Sequence, residues 1–285
     1  MNEIRIRPIY DELKVRTERL AERPWMARLA KLGFAAKGFL YVTAGGTGIL
    51  ASLSVSGRPV GVRGALALLA GAPAGRLAVA LVAAGLVGFI LRRFVQSVVP
   101  PAGRPKRRIM RVLRPIGYML SGLGHIGVGL AAMQLALGLN ADPASGTTTM
   151  LALLLGAGPV GAWFVMPISL IVLGLGGFNF YMAATAGFQV DLERDRMSKA
   201  WRRTALVAGT IGYAARGLAF VLAGGMLFYT GWMGRRQMGG FLNLLQNTEF
   251  ETVGMILLFV ISAGLIAYGL YLITVAKFLR VITEW

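Results

Sequence analysis

Six apolar runs dominate the chain, at about 34–55, 76–98, 116–139, 161–183, 205–230 and 252–276. Each has roughly the 20 residues that a helix needs to cross the hydrocarbon core of a bilayer. Short basic clusters separate them. With 56% of its 285 residues apolar and 15% charged, the chain is more apolar than an ordinary soluble domain. Lipid offers no partner to unpaired backbone groups, so the runs are read as helices. A barrel is excluded because the runs lack a dyad period. The expected fold class is all-α, a polytopic membrane protein with six transmembrane helices.

Charge then orients the chain. The net charge is +18, which in a soluble protein would point to nucleic acid. Here its distribution follows the positive-inside rule. Residues 1–32 hold eight Lys or Arg, the loop 99–115 holds six and the loop 184–204 holds five. The intervening loops hold three (Arg58, Arg63, Arg76), none, and two (Arg235, Arg236). Both termini and the second and fourth connections are therefore expected in the cytoplasm. The basic loops also suit anionic lipid headgroups. They are short and carry no nucleic-acid motif, so no nucleic-acid partner is expected. The charged first 32 residues argue against a cleavable signal peptide. They are read as a short cytoplasmic helix followed by an interfacial one, with Trp25 at headgroup level and Pro24 as an interruption.

The chain spells one hairpin three times. "GFAAKGFLYVTAG" begins at Gly33, "GYMLSGLGHIGVG" at Gly117 and "GYAARGLAFVLAG" at Gly212. Glycine recurs at offsets 0, 5 and 12, which gives Gly38 and Gly45, Gly122 and Gly129, Gly217 and Gly224. A ring follows the first glycine each time, as Phe34, Tyr118 and Tyr213. Offset 8 carries Tyr41, His125 and Phe220. The second arms match too, with "GLVGF" at Gly85, "GLGGF" at Gly174 and "GLIAY" at Gly264. At 100° per residue, offsets 1, 5, 8 and 12 share a helix face about 60° wide. Small residues on such a face let helices approach and pack in lipid, so the six glycines are read as helix-packing positions. Each copy enters from the same side, so the repeats are parallel and a pseudo-threefold bundle is expected. Between the arms, 62–76, 147–161 and 238–251 each hold a short apolar run, read as an interfacial or re-entrant helix.

These openings, with "GLxGF" second arms and the stretch "RGALALLAGAPAGRLAVALVAAGLVGFILRRFVQ" at 63–96, resemble a bacterial family known as domain of unknown function 1206. The resemblance covers about 28–280. The second copy departs from it, with Ser121 in the basic slot and His125 in a ring slot. The resemblance implies a six-span inner-membrane protein, and no activity or functional residue comes with it.

The expected organisation is an N-terminal segment 1–32, hairpins at 33–98, 116–187 and 205–285, and charged loops at 99–115 and 188–204. Within the spans no Asp or Glu occurs, which argues against coupling through a buried carboxylate. Lys37 and Arg216 fill the repeated basic slot. They are read as snorkelling to the inner headgroups, with an anion-attracting vestibule as the alternative. Arg92 and Arg93 close the second span and are read as interfacial. His125, the chain's single histidine, is read as a packed, hydrogen-bonded imidazole rather than an axial metal ligand. Gln134 and Asn179 are read as interhelical hydrogen bonders. The absence of cysteine rules out disulfides and thiolate sites. No phosphate loop, HExxH or Ser-His-acid set can be built. The expectation is a non-enzymatic protein without metal or cofactor, a structural or accessory subunit of a membrane assembly, with lipids and other subunits as partners. The alternative is a channel or transporter for anions or small solutes along the pseudo-threefold axis.

Because the chain has no cysteine, single cysteines report topology cleanly. In intact cells, Ser56→Cys should react with a membrane-impermeant maleimide. Gly103→Cys should react only after permeabilisation. The reverse pattern would invert the orientation.

Overall fold

The computed structural model describes residues 24–53, 62–71, 73–98, 108–139, 159–233 and 248–279. The expected N-terminal helices before residue 24, the linker segments 147–158 and 238–247, and most of the basic loop 99–107 lie outside the described residues. Seven α-helices carry the fold: α1 (Pro24–Ser52), α2 (Val62–Ala70), α3 (Gly75–Val98), α4 (Arg108–Ala136), α5 (Pro159–Thr185), α6 (Lys199–Met233) and α7 (Thr248–Lys277). Among the described residues the extended structure amounts to one isolated antiparallel bridge, Leu192 to Leu279.

Five of these helices, α3 to α7, are long and apolar enough to cross a membrane. Helix α1 falls short on hydropathy because Lys37 and a Gly- and Thr-containing C-terminal half dilute it. Pro24 is the first described residue of α1. Proline suits a first helical turn, where its missing N–H would have no partner anyway. Trp25, next in sequence, is exposed at this end.

The long helices pack in chain order. Helix α1 lies against α3, α3 against α4, α5 against α6, α6 against α7, and α7 returns to α1. Among the described residues the cycle is open at one place, because α4 and α5 are not closely packed on each other. These are the two arms of the second hairpin. The short helix α2 tucks its Ala65 and Leu66 against α1, α3 and α4.

Glycine explains the tightest crossing. A Cβ on Gly38 of α1 would lie 2.7 Å from the Gly269 carbonyl oxygen of α7, and a Cβ on Gly269 would lie 2.6 Å from that of Gly38. The two backbones touch, and any side chain would push them apart. Two turns on, a Cβ at Gly45 would sit 2.5 Å from the Ser262 carbonyl oxygen. The third copy is also tight, with Gly224 against Leu173 of α5 at 2.9 Å and Gly217 against the Phe180 ring at 3.1 Å. In the second copy, Gly122 and Gly129 have ordinary spacing, their nearest neighbours 3.5 Å away. Equivalent glycines therefore sit in unequal contacts, and the second hairpin is the loose one.

The connection from α5 to α6 is folded inward. Ala186 adopts a left-handed conformation that ends α5. Two 3₁₀ turns follow, Gly187–Asp191 and Arg194–Arg196. Phe188, Leu192 and Met197 are buried. The Tyr271 hydroxyl donates to the Phe188 carbonyl at 2.8 Å, and the Glu193 N–H donates to the Phe278 carbonyl at 2.9 Å. Arg194, Asp195 and Arg196 stay exposed. This charged loop is thus a solvated rim over an apolar and acidic underside.

Gly38→Val should lower stability by about 1–3 kcal/mol, the usual cost of overpacking, read as a fall in thermal midpoint of the detergent-solubilised protein. Gly225→Val, where an added Cβ meets nothing within 4 Å, should leave that midpoint near wild type.

Candidate functional site

The ring of helices encloses a cavity of about 320 Å³. All six long helices and the Gly187–Asp191 turn contribute to its wall. Equivalent positions of the three repeats converge here. Offset 4 supplies Lys37, Ser121 and Arg216, and offset 8 supplies Tyr41, His125 and Phe220. From offset 1, Tyr118 and Tyr213 line the wall. Their counterpart Phe34 lies behind it, edge-on to Phe89 at 5.3 Å.

Lys37 lies near the middle of α1 and is only 2% exposed. Its Nζ faces rings, 4.1 Å from the Phe89 centroid and 5.8 Å and 6.0 Å from those of Tyr41 and Tyr268. Arg216 sits at the middle of α6. It donates to the Tyr268 hydroxyl at 2.8 Å, with its guanidinium 4.5 Å from the Tyr268 ring and 5.5 Å from Phe220. Among the described residues neither cation has a carboxylate within ion-pair distance. The snorkelling expectation is therefore corrected. Both side chains turn into the bundle, because the offset-4 slot faces the cavity.

Arg92 and Arg93 are also corrected. Read as interfacial, they are buried, at 4% and 7% exposure. The reason is Asp191, delivered by the inward-folded turn. Its carboxylate lies 3.7 Å from Arg92 and 3.5 Å from Arg93. Gln96, fully buried, bridges the group: its amide donates to Asp191 at 2.8 Å while its carbonyl accepts from Arg93 at 2.6 Å. The arginine-to-carboxylate distances are long for hydrogen bonds, so Gln96 is the close positioning contact. Arg93 also lies over three rings, Phe89, Tyr118 and Phe34, at 5.1, 5.2 and 5.6 Å. Burial by itself pushes the Asp191 carboxyl up. The Arg93 and Arg92 charges, with the Gln96 hydrogen bond, outweigh it and hold the group below the usual carboxylate range.

His125 places Nδ1 2.7 Å from the Ser121 carbonyl oxygen. A carbonyl only accepts, so Nδ1 carries the hydrogen and Nε2 the lone pair. The ring packs against Phe89 at 4.9 Å. Gln134 is exposed at the end of α4, away from any interhelical role. Asn179 donates within its own helix to the Leu175 carbonyl at 2.7 Å. Its Oδ1 is buried with no hydrogen-bond partner.

Sequence reasoning missed Asp191 because it counted acids only inside the apolar runs. A signal was present. In "GFQVDLERD" the apolar residues Phe188, Val190 and Leu192 bracket Asp191, a pattern a solvated loop has no use for.

An all-helical bundle with five membrane-length apolar helices around a cationic cavity defines a polytopic helical membrane protein. Three stretches, 32–99, 116–186 and 211–278, match the family described as Domain of Unknown Function (DUF1206). The chain belongs to that family, with three copies of its repeat. It is also similar to the uncharacterized protein YxxB of Bacillus subtilis (strain 168), 25% identical over 256 residues that cover 88% of this chain and 90% of the relative. No solved structure matches the chain.

Asp191→Asn removes the shared partner of two buried arginines and should cost about 3 kcal/mol, read as a lowered thermal midpoint. In the wild type, the folded carboxyl titrates below its unfolded counterpart. Its contribution should be present above the unfolded carboxyl's pKa and lost as pH falls through the lower folded value. The Asn variant should lack that acid-dependent loss.

Proposed function

We propose that the protein binds an anion within the bundle and serves as a carrier or channel for it, in a bacterial inner membrane with both termini cytoplasmic. In this reading the three hairpins are pseudo-threefold equivalents, α1 makes a sixth crossing, and the cavity lies on their common axis. One observation carries it: Lys37 and Arg216, from the same slot of two repeats, face one cavity, and among the described residues neither has a carboxylate within ion-pair distance.

Magnitudes support it. Taking an ion out of water costs several kcal/mol in real proteins. A desolvated cation–π contact returns roughly 2 kcal/mol. The rings around Lys37 therefore leave a deficit that an anion would cover. The cavity volume is at the small end of the roughly 300–1,000 Å³ typical of ligand sites, and its wall mixes charges with rings. The accessory-subunit reading calls for no continuous polar cavity, so the cavity weighs against it. The protein is read as non-enzymatic, since the acid in the cavity wall is occupied by Arg92, Arg93 and Gln96.

The test is anion binding by the detergent-solubilised chain. A saturating anion should raise stability by about 2.7 kcal/mol at one hundred times its dissociation constant. Inorganic phosphate, sulfate and glycerol 3-phosphate are the first probes. The Lys37→Ala, Arg216→Ala double variant should show no such rise. A wild-type midpoint that ignores every anion, or a variant that responds equally, would sink the reading.

A further inference from the structure

The cavity is small and its wall is interrupted on one side. The interruption lies between α4 and α5, which both line the cavity yet, among the described residues, do not pack closely on each other. Gly124 lines the cavity, and a Cβ there would meet nothing within 4 Å. On α5, Gly174 and Gly177 lie outside the cavity wall, are exposed, and likewise have nothing within 4 Å of a Cβ. The Phe178 ring reaches across to Gly117, 3.7 Å from where its Cβ would be. The outer sides of both helices are apolar, with Ile116, Met119, Leu123 and Ile126 exposed on α4 and Leu170 and Ile171 on α5. A gap of this kind faces lipid, not water.

We infer that the cavity takes the head group of an anionic amphiphile, which enters sideways between α4 and α5 and leaves its acyl chains in that gap. The inference rests on the anion-binding reading above and names the ligand class. Three features fit it together. A cavity of about 320 Å³ is at the lower limit for a small-ligand site, so it holds a head group but not the chains. Lys37 and Arg216 supply the charge complement. Asn179, 5% exposed and with a buried acceptor lacking a partner, stands in the same wall and would accept from a hydroxyl on the head group. A soluble anion would need no gap beside its site, whereas an acyl chain requires one.

The full chain in detergent is titrated with three probes: short-chain phosphatidylglycerol, short-chain phosphatidylcholine and glycerol 3-phosphate. Binding is read by native mass spectrometry and by thermal midpoint. Phosphatidylglycerol should bind at least about tenfold tighter than phosphatidylcholine. Gly174→Leu and Gly174→Phe fill open space outside the cavity wall, so they should fold normally and narrow the gap. Each should weaken phosphatidylglycerol by about tenfold and leave glycerol 3-phosphate unchanged. The Lys37→Ala, Arg216→Ala variant should lose both anionic ligands. If glycerol 3-phosphate binds as tightly as phosphatidylglycerol and the glycine variants change neither, the ligand is a soluble anion. The lateral route then fails while the anion-binding reading stands. If neither anionic probe binds the wild type, both fail.

Discussion

The fold rests on one electrostatic constraint: four basic side chains turn inward, and among the described residues only one carboxylate is buried with them. Lys37, Arg92 and Arg93 are buried and Arg216 is half-buried, while Asp191 is the single buried acid. Each ion removed from water costs several kcal/mol unless its partners are well placed. The structure divides the problem. Arg92 and Arg93 share Asp191 through Gln96, while Lys37 and Arg216 rest on aromatic rings. Aromatic faces carry partial negative charge, so they stabilise a cation without adding an acid to the membrane interior.

This division ties the connection from α5 to α6 to the bundle. The turn Gly187–Asp191 must fold inward, because the arginines of α3 need its carboxylate. Phe188 follows it into the core, stacked on Tyr213 at 5.1 Å and edge-on to Tyr271 at 5.1 Å. The same rings continue to Tyr268, and so to Arg216 and Lys37. One aromatic layer thus links the acid-paired cations to the ring-paired ones.

The three repeats are used differently. The first and third copies carry Lys37 and Arg216 in the cavity slot and make close backbone contacts, through Gly33 and Gly38 in the first and Gly212 in the third. The second copy carries Ser121 and His125, has its glycines at ordinary spacing and, among the described residues, leaves its two arms apart. The copy without a cation in that slot is the copy that holds the opening.

Much of this was legible in the residues themselves. Long apolar runs cannot be anything but helices in lipid, so the helical class and the hairpin organisation follow from composition and spacing alone. The repeat also marked the right slots: offsets 4 and 8 do meet at one cavity, because a helix repeats its faces every 3.6 residues. Direction was not legible. Lys37 looks like a snorkelling lysine in a linear reading, since only neighbours from α3 and α7 reveal the rings that hold it. Arg92 and Arg93 looked interfacial for the same reason. Their partner lies 95 to 100 residues further on, in a loop whose charge count hides one buried acid. Sequence by itself determined which positions recur in the three copies; tertiary structure decided which of them face one cavity, which charges are paired, which are left to rings, and where the wall opens, because pairing depends on contacts between segments far apart in the chain.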